Sequence, residues 1–154
     1  VYGSNIVVRK EINIGCAVAL RDESLVVPVI HNVDQKTFPE LAQELDRSIA
    51  LAPQKALTRE DVEDGTFTIS NFGAFGSLIG TPIIHQPQVA ILGMGAVFKA
   101  PVVIDNQICI RDQVYLSFSF DHRVIDGAMG GRFLNAIQLA TESLTEKDLE
   151  LVAL

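Results

Sequence analysis

Apolar positions in this chain recur at two spacings, and the change from one to the other marks out its elements. Val114, Leu116, Phe118 and Phe120 alternate with Tyr115, Ser117 and Ser119, and a period of two places the two sets on opposite faces of a strand. Leu41, Leu45, Ile49 and Ala52 recur instead at helical spacing, the stripe of an amphipathic helix. Thr37 with Glu40 forms a capping box and Pro39 sits in the tolerated first turn, so the pattern predicts a helix over 37–52. Continuous apolar runs predict buried strands: LVVPVI at 25–30, with Pro28 at an edge or a bulge, and VAILGMGAV at 89–97, where Gly93 and Gly95 mark close backbone approach. TFTIS at 66–70 is a further strand. The Val- and Ile-rich stretch 6–20, centred on Arg9, Lys10 and Glu11, reads as two strands or one bent one. Asp105 and Asn106 between two short apolar runs predict a hairpin. Thr58 with Asp61 caps at most a short helical turn before Gly65, and a final helix runs from Asp126 or Gly127 to about Leu144.

Composition narrows the classes. A chain of 154 residues fits one domain with a sizeable core. Twelve basic against nineteen acidic residues, net −7, with no Lys or Arg block to track a phosphate backbone, argues against nucleic acid as a partner. At 48% hydrophobic and only 20% charged, the chain is expected to oligomerise. Cys16 and Cys109 lie inside apolar runs and read as small core hydrophobes in a reducing compartment. No run approaches the ~20 apolar residues of a membrane helix, and no signal-peptide pattern opens the chain, so a soluble, intracellular protein is expected. The start at Val1 reads as the mark of a segment removed upstream, and the tail at 149–154 is apolar.

The candidate chemistry gathers where the strand ending at Phe120 meets charge. Asp121, His122, Arg123 and Asp126 follow within six residues, and a rigid strand delivering a histidine onto a short loop suits a general base. Three readings compete. His122 is a general base, with Ser70 stabilising an oxyanion and Asp126 fixing the loop; or it is a metal ligand, for which a second histidine at ligand spacing is missing; or the loop is structural, with Asp121, Arg123 and Asp126 in surface ion pairs. Ser70 ends its strand just before NFGAFGSLIGTP, whose glycines at 73, 76 and 80 forbid a long regular element. A phosphate-loop reading fails because no Gly-Lys-Ser/Thr is present; the loop instead lets backbone pass close to a ligand or another chain. His31 and His85 read as ordinary loop residues, and Asp126 doubles as an N-cap for the last helix.

DHRVIDGA from Asp121, GTFTISNFG from Gly65, VAILGMG from Val89, and INIGCAVAL followed by LVVPVI together resemble the catalytic domain of the dihydrolipoyl acyltransferases, the core components of 2-oxo acid dehydrogenase complexes. The resemblance spans 12–154 and keeps the family's order and spacing. It implies an α/β (α+β) fold like that of the chloramphenicol acetyltransferases, a mixed sheet with flanking helices in trimer-based assemblies. It also implies a channel between subunits that coenzyme A enters from one end and a lipoyl arm from the other. His122 then matches the catalytic histidine, Asp126 the motif's acidic residue, and Ser70 a hydroxyl from the neighbouring subunit; Asn71 and Gly95 match part of the coenzyme A wall, and no metal is implied. Acyl transfer between a dihydrolipoyl thiol and coenzyme A is the implied reaction. The alternatives are a chloramphenicol-type acetyltransferase acting on a hydroxyl and a catalytically silent assembly module.

The implied partners are further copies of the chain, in trimers building a larger core, and the dehydrogenase and dihydrolipoyl dehydrogenase components. The implied location is the bacterial cytoplasm or the mitochondrial matrix. The family's domain is longer at its N-terminus, so 1–154 reads as the acyltransferase catalytic domain lacking its N-terminal part, with the lipoyl and peripheral-subunit-binding domains absent. In the family the basic partner of the motif aspartate comes from that part; Arg9, Arg47, Arg111 and Arg132 are the candidates to replace it.

Overall fold

A computed structural model of the chain describes residues 5–22 and 24–145, and the apolar tail at 149–154 lies outside the described residues. Among the described residues, eight strands and two α-helices appear in the order β1 (Ile14–Ala19), β2 (Leu25–Val26), β3 (Val29–Ile30), α1 (Phe38–Leu51), β4 (Phe67–Asn71), β5 (Ala90–Met94), β6 (Phe98–Ile104), β7 (Gln107–Gln113), β8 (Leu116–Phe120) and α2 (Gly127–Ser143). Six of the strands form a mixed sheet in the order β2-β1-β4-β5-β8, with β3 also on β1. β1, β4 and β5 are parallel, while β2, β3 and β8 run antiparallel to their neighbours. β5 lies inside the sheet between β4 and β8, and its run Ala90–Gly93 is buried, as expected of a strand covered on both faces.

The apolar run at 25–30 pairs with β1 in one register, Val26 opposite Val18 and Val29 opposite Gly15. Pro28 cannot donate to the ladder, yet its carbonyl accepts from the Cys16 N–H at 2.8 Å. One edge strand is thus interrupted in its pairing, without a bulge, at the residue lacking an N–H. The predicted strand over 6–13 does not form; regular pairing starts at Ile14. What anchors that end is Asn13, 5% exposed. Its side-chain amide donates to the Asp64 carbonyl (2.9 Å), its side-chain oxygen accepts from the Asn32 N–H (2.9 Å), and its carbonyl accepts from the Thr66 N–H (2.8 Å). A buried amide satisfied on both sides fixes the start of β1 against the start of β4.

α1 begins where the sequence places it. The Glu40 carboxylate accepts from both the N–H and the hydroxyl of Thr37, each at 2.7 Å. Thr58 and Asp61 close a turn rather than a helix. The Asp61 carboxylate accepts from the Thr58 N–H (2.7 Å) and hydroxyl (2.8 Å) and from Arg47 (2.9 Å), and these bonds, led by the Thr58 N–H, hold its pKa at about 2. The hairpin is longer than predicted, β6 and β7 forming a separate two-stranded ribbon. Asp105 (φ 50°) and Asn106 (φ 62°) are both left-handed at its turn, the conformation that two-residue hairpins require and that Asp and Asn tolerate. The strand predicted from Val114 starts only at Leu116. Before it the chain crosses from ribbon to main sheet, and the Tyr115 carbonyl accepts from the Gly95 N–H at 3.0 Å.

Aromatic packing seats α2. Phe133 packs at a tilt against Phe118 with ring centroids 5.0 Å apart and meets Phe67 edge-on at 5.7 Å, so the helix is tied to β8 and β4 together. At its N-terminal end, a Cβ on Gly130 would come within 2.8 Å of the Phe120 ring. That contact brings the helix start down onto the end of β8 and sets the position of the loop between them.

Candidate active site

The loop from Asp121 to Asp126 joins β8 to α2 and carries the histidine. Asp121 leaves the sheet still bonded to it, its N–H donating to the Val89 carbonyl at 2.8 Å, and its carbonyl accepts from Val124 (2.9 Å) and Ile125 (3.0 Å). Its carboxylate takes Arg123 Nε at 2.9 and 3.1 Å, Nη2 at 2.6 Å and the Arg123 N–H at 3.0 Å. These bonds hold the Asp121 pKa at about 2, the Arg123 side chain contributing most. A carboxyl lowered from its ordinary value contributes above that value and is lost only as pH falls toward 2. Through the range in which an imidazole titrates, the pair is therefore ionised. His122 is exposed; its recorded contact is the Phe120 ring, with centroids 5.7 Å apart, and it makes no hydrogen bond among the described residues. Its nitrogens are open to a ligand.

Asp126 is the N-cap of α2, its Oδ1 accepting from the Met129 N–H at 2.7 Å. None of the four arginines suggested by the sequence meets it among the described residues. Arg9 pairs with Asp64 (3.7 Å), Arg47 with Asp61, and Arg111 donates to the Ile110 carbonyl (3.1 Å). The capping hydrogen bond, rather than a salt bridge, satisfies that carboxylate here.

Ser70 lies near the C-terminal end of β4, in one row with Gly93 of β5 and Ser117 of β8. Beyond it, the Asn71 side-chain oxygen accepts from the Ala74 N–H at 3.1 Å and starts the glycine-rich loop. That loop folds back over the end of β5. The Ala96 N–H donates to the Ser77 carbonyl at 2.9 Å, and a Cβ on buried Gly95 would lie 2.0 Å from the Leu78 carbonyl oxygen. Gly95 thus has a packing reason to be glycine, and Asn71 keeps an exposed amide donor beside it.

The sheet keeps Ser70 and His122 apart. β8 is antiparallel to β5, so its end at Phe120 lies opposite Ala90 while Ser70 aligns with Gly93 two strands away. Five residues along a strand and two strand spacings separate them by roughly 15–20 Å. One chain cannot place both on a single reacting carbonyl. A cleft of about 420 Å³ is lined by neither of them; Arg9, Asp64, His85 and Gln88 are among its walls. His31 Nε2 donates to the Glu60 carbonyl at 3.1 Å and stays a loop residue. Burial raises the pKa of the Cys16 thiol, in keeping with a packing role. Among the described residues no cluster of three or more metal-ligating side chains occurs, and no helix is long and apolar enough to cross a membrane.

Residues 2–147 match the family model for the 2-oxoacid dehydrogenases acyltransferase catalytic domain. The lipoamide acyltransferase component of the branched-chain alpha-keto acid dehydrogenase complex of Bacillus subtilis is 45% identical over 146 residues, 94% of this chain and 34% of that protein. A probable dihydrolipoamide acetyltransferase from Listeria monocytogenes superposes with a TM-score of 0.89 at 40% identity, over 94% of this chain and 61% of the solved one. The Azotobacter vinelandii dihydrolipoamide acetyltransferase does so with a TM-score of 0.82 at 40% identity, over 88% and 55%. The work on that enzyme concerns one serine, one histidine and one asparagine in its catalytic mechanism, the histidine 52 positions after the serine and the asparagine four after the histidine. Other relatives include mitochondrial proteins, and other solved neighbours are cores of multienzyme complexes. The chain spans about a third of the length of the curated relatives it matches. Sequence motifs, mixed sheet and superposition agree: the chain belongs to the 2-oxoacid dehydrogenase acyltransferase family, within its catalytic domain.

Proposed function

We propose that this chain forms acyl-transfer sites between copies of itself, each using His122 from one copy and Ser70 from the next, and moves an acyl group between a dihydrolipoyl thiol and coenzyme A. The observation that carries the proposal is a coincidence of spacing. Ser70, His122 and Asp126 stand at the same intervals, 52 and four, as the serine, histidine and asparagine studied in the Azotobacter enzyme. The sheet separation of Ser70 from His122 supports the use of two copies, since neither is within reach of the other in one. In this reading Asp126 is the positioning residue that its cap geometry suggests, holding the loop against α2.

The chemistry suits those side chains. A thiol of pKa about 8.5 is only a few per cent ionised at neutral pH, and the thiolate is the nucleophile. Transfer of its proton to an imidazole of pKa about 6.5 costs roughly 2.7 kcal/mol, small beside the whole barrier. His122 Nε2 or Nδ1, both unengaged, would accept that proton and return it to the departing thiolate. Attack on the thioester places charge on oxygen, where one preorganised hydroxyl, that of Ser70, is worth about 2.7–4 kcal/mol. The exposed Asn71 amide and the close-packed turn at Gly95 are offered as part of the wall for coenzyme A. The lipoyl arm is supplied by another domain, and the dehydrogenase and dihydrolipoyl dehydrogenase components are the partners that load and reoxidise it. A bacterial cytoplasm or mitochondrial matrix is the setting proposed.

His122→Ala is expected to lower kcat by roughly 10²–10⁴ with little change in melting temperature, because the exposed side chain makes no hydrogen bond among the described residues and its recorded contact is the Phe120 ring. Steady-state assay of the assembled protein, with a panel of acyl-CoAs and dihydrolipoamide set against hydroxyl acceptors, checks this and identifies the acyl group. Near-normal thiol acylation by the variant, or a preference for hydroxyl acceptors, would remove the reading.

A further inference from the structure

The residues on either side of His122 are bound to each other far more completely than the histidine is bound to anything. The Arg123 guanidinium grips both oxygens of the Asp121 carboxylate, and the Arg123 N–H bonds one of them as well. Through its backbone Asp121 is also joined to Val89, the residue just before β5, and to Val124 and Ile125. Side chain and backbone thus close a ring around residue 122, and that ring is anchored where the chain enters β5. The two partners differ in exposure, 18% for the Asp121 side chain and 74% for that of Arg123, so the carboxylate is the fixed end.

An exposed ion pair contributes little to stability, which makes this one a weak structural device. Its effect on direction is another matter. A side chain whose recorded contact is one ring takes its aim from its own backbone, and here the ring of bonds fixes that backbone. Misplacement of a catalytic group by about 1 Å can cost 100-fold in rate.

Resting on His122 as the base, we infer that Asp121 and Arg123 are positioning residues which lock the backbone of residue 122 and so aim its imidazole into the shared site. The test uses Arg123→Gln, Asp121→Asn, the double variant and Arg123→Lys in the assembled protein, with kcat, the KM for each thiol, melting temperature and assembled mass measured. Each single neutral variant is expected to lose about tenfold or more in kcat, with KM within about twofold. The double variant should be no worse than the poorer single one, because the pair acts as a unit. Arg123→Lys, which keeps the charge but not the fork, should recover only part of the rate.

Wild-type kcat in Arg123→Gln, a loss confined to KM, or singles whose effects multiply would each overturn the inference. Arg123 is mostly exposed, so its Gln variant carries the test even where Asp121→Asn fails to fold. His122→Ala runs beside them. An inactive His122→Ala next to a fully active Arg123→Gln overturns the inference alone, whereas an active His122→Ala overturns the reading on which it rests.

Discussion

Asp126 shows how one side chain can be read two ways and how substitution separates them. Its bond to the Met129 N–H is a role that asparagine fills as well as aspartate, whereas alanine cannot. Asp126→Asn is expected to keep both stability and turnover close to wild type, and Asp126→Ala to cost about 0.5–2 kcal/mol by denaturant melts along with a fall in kcat. If the charge matters instead, the two variants will lose turnover alike. His122 and Ser70 stand out in the sequence because each ends an apolar strand with a reactive group. The environment of His122 is not readable there, since the groups facing it in the proposed site belong to another copy. The Asp121–Arg123 pair is foreshadowed by an acid and a base two positions apart, a pattern equally suited to idle surface charges. Only the fourfold engagement of the carboxylate tells them apart.

At the level of elements, periodicity served best where a segment lies within the main sheet or makes its own caps. α1, α2, β4 and β5 fall within a few residues of their expected limits because apolar spacing, a capping box and an N-cap are local signals. Segments whose partners are distant or missing were less legible. Residues 6–13 have strand composition, yet Ile6 and Val8 are 61% and 85% exposed and find no ladder among the described residues. The run at 113–120 alternates without a break while the backbone changes sheets between Gln113 and Leu116, a move forced by the bond from Gly95 to Tyr115 rather than by hydropathy. Gly95 is the element-scale pivot. Gly95→Ala would drive a Cβ into the Leu78 carbonyl, where backbone on both sides leaves little room to yield. A loss of roughly 1–3 kcal/mol in chemical denaturation is expected, and an unchanged midpoint would show that the loop moves aside freely.

The whole molecule exposes more surface than a chain of its mass should. Its accessible area is 11167 Å² for 16.7 kDa, against roughly 7,600 Å² for a compact monomer of that size. Ile83, Ile108, Phe75 and Val103 are 91%, 80%, 74% and 71% exposed, apolar area that further protein is expected to cover. The high apolar content of the sequence anticipates this, although it does not say which faces are bare. If sites are shared between copies, two inactive proteins can complement. Ser70→Ala and His122→Ala chains, mixed evenly during assembly, should recover about a quarter of wild-type turnover, because an independent draw at each shared interface unites both intact groups one time in four. No recovery would place both groups in the same chain.

The wide spacing of Ser70 and His122 across the sheet carries a further consequence for such an assembly. Each polypeptide would own two unlike halves and no whole, so a closed ring completes as many catalytic centres as it has members, an open pair completes one, and a solitary chain none. Dilution would then act as an off switch, silencing the protein through lost neighbours while every copy is still folded.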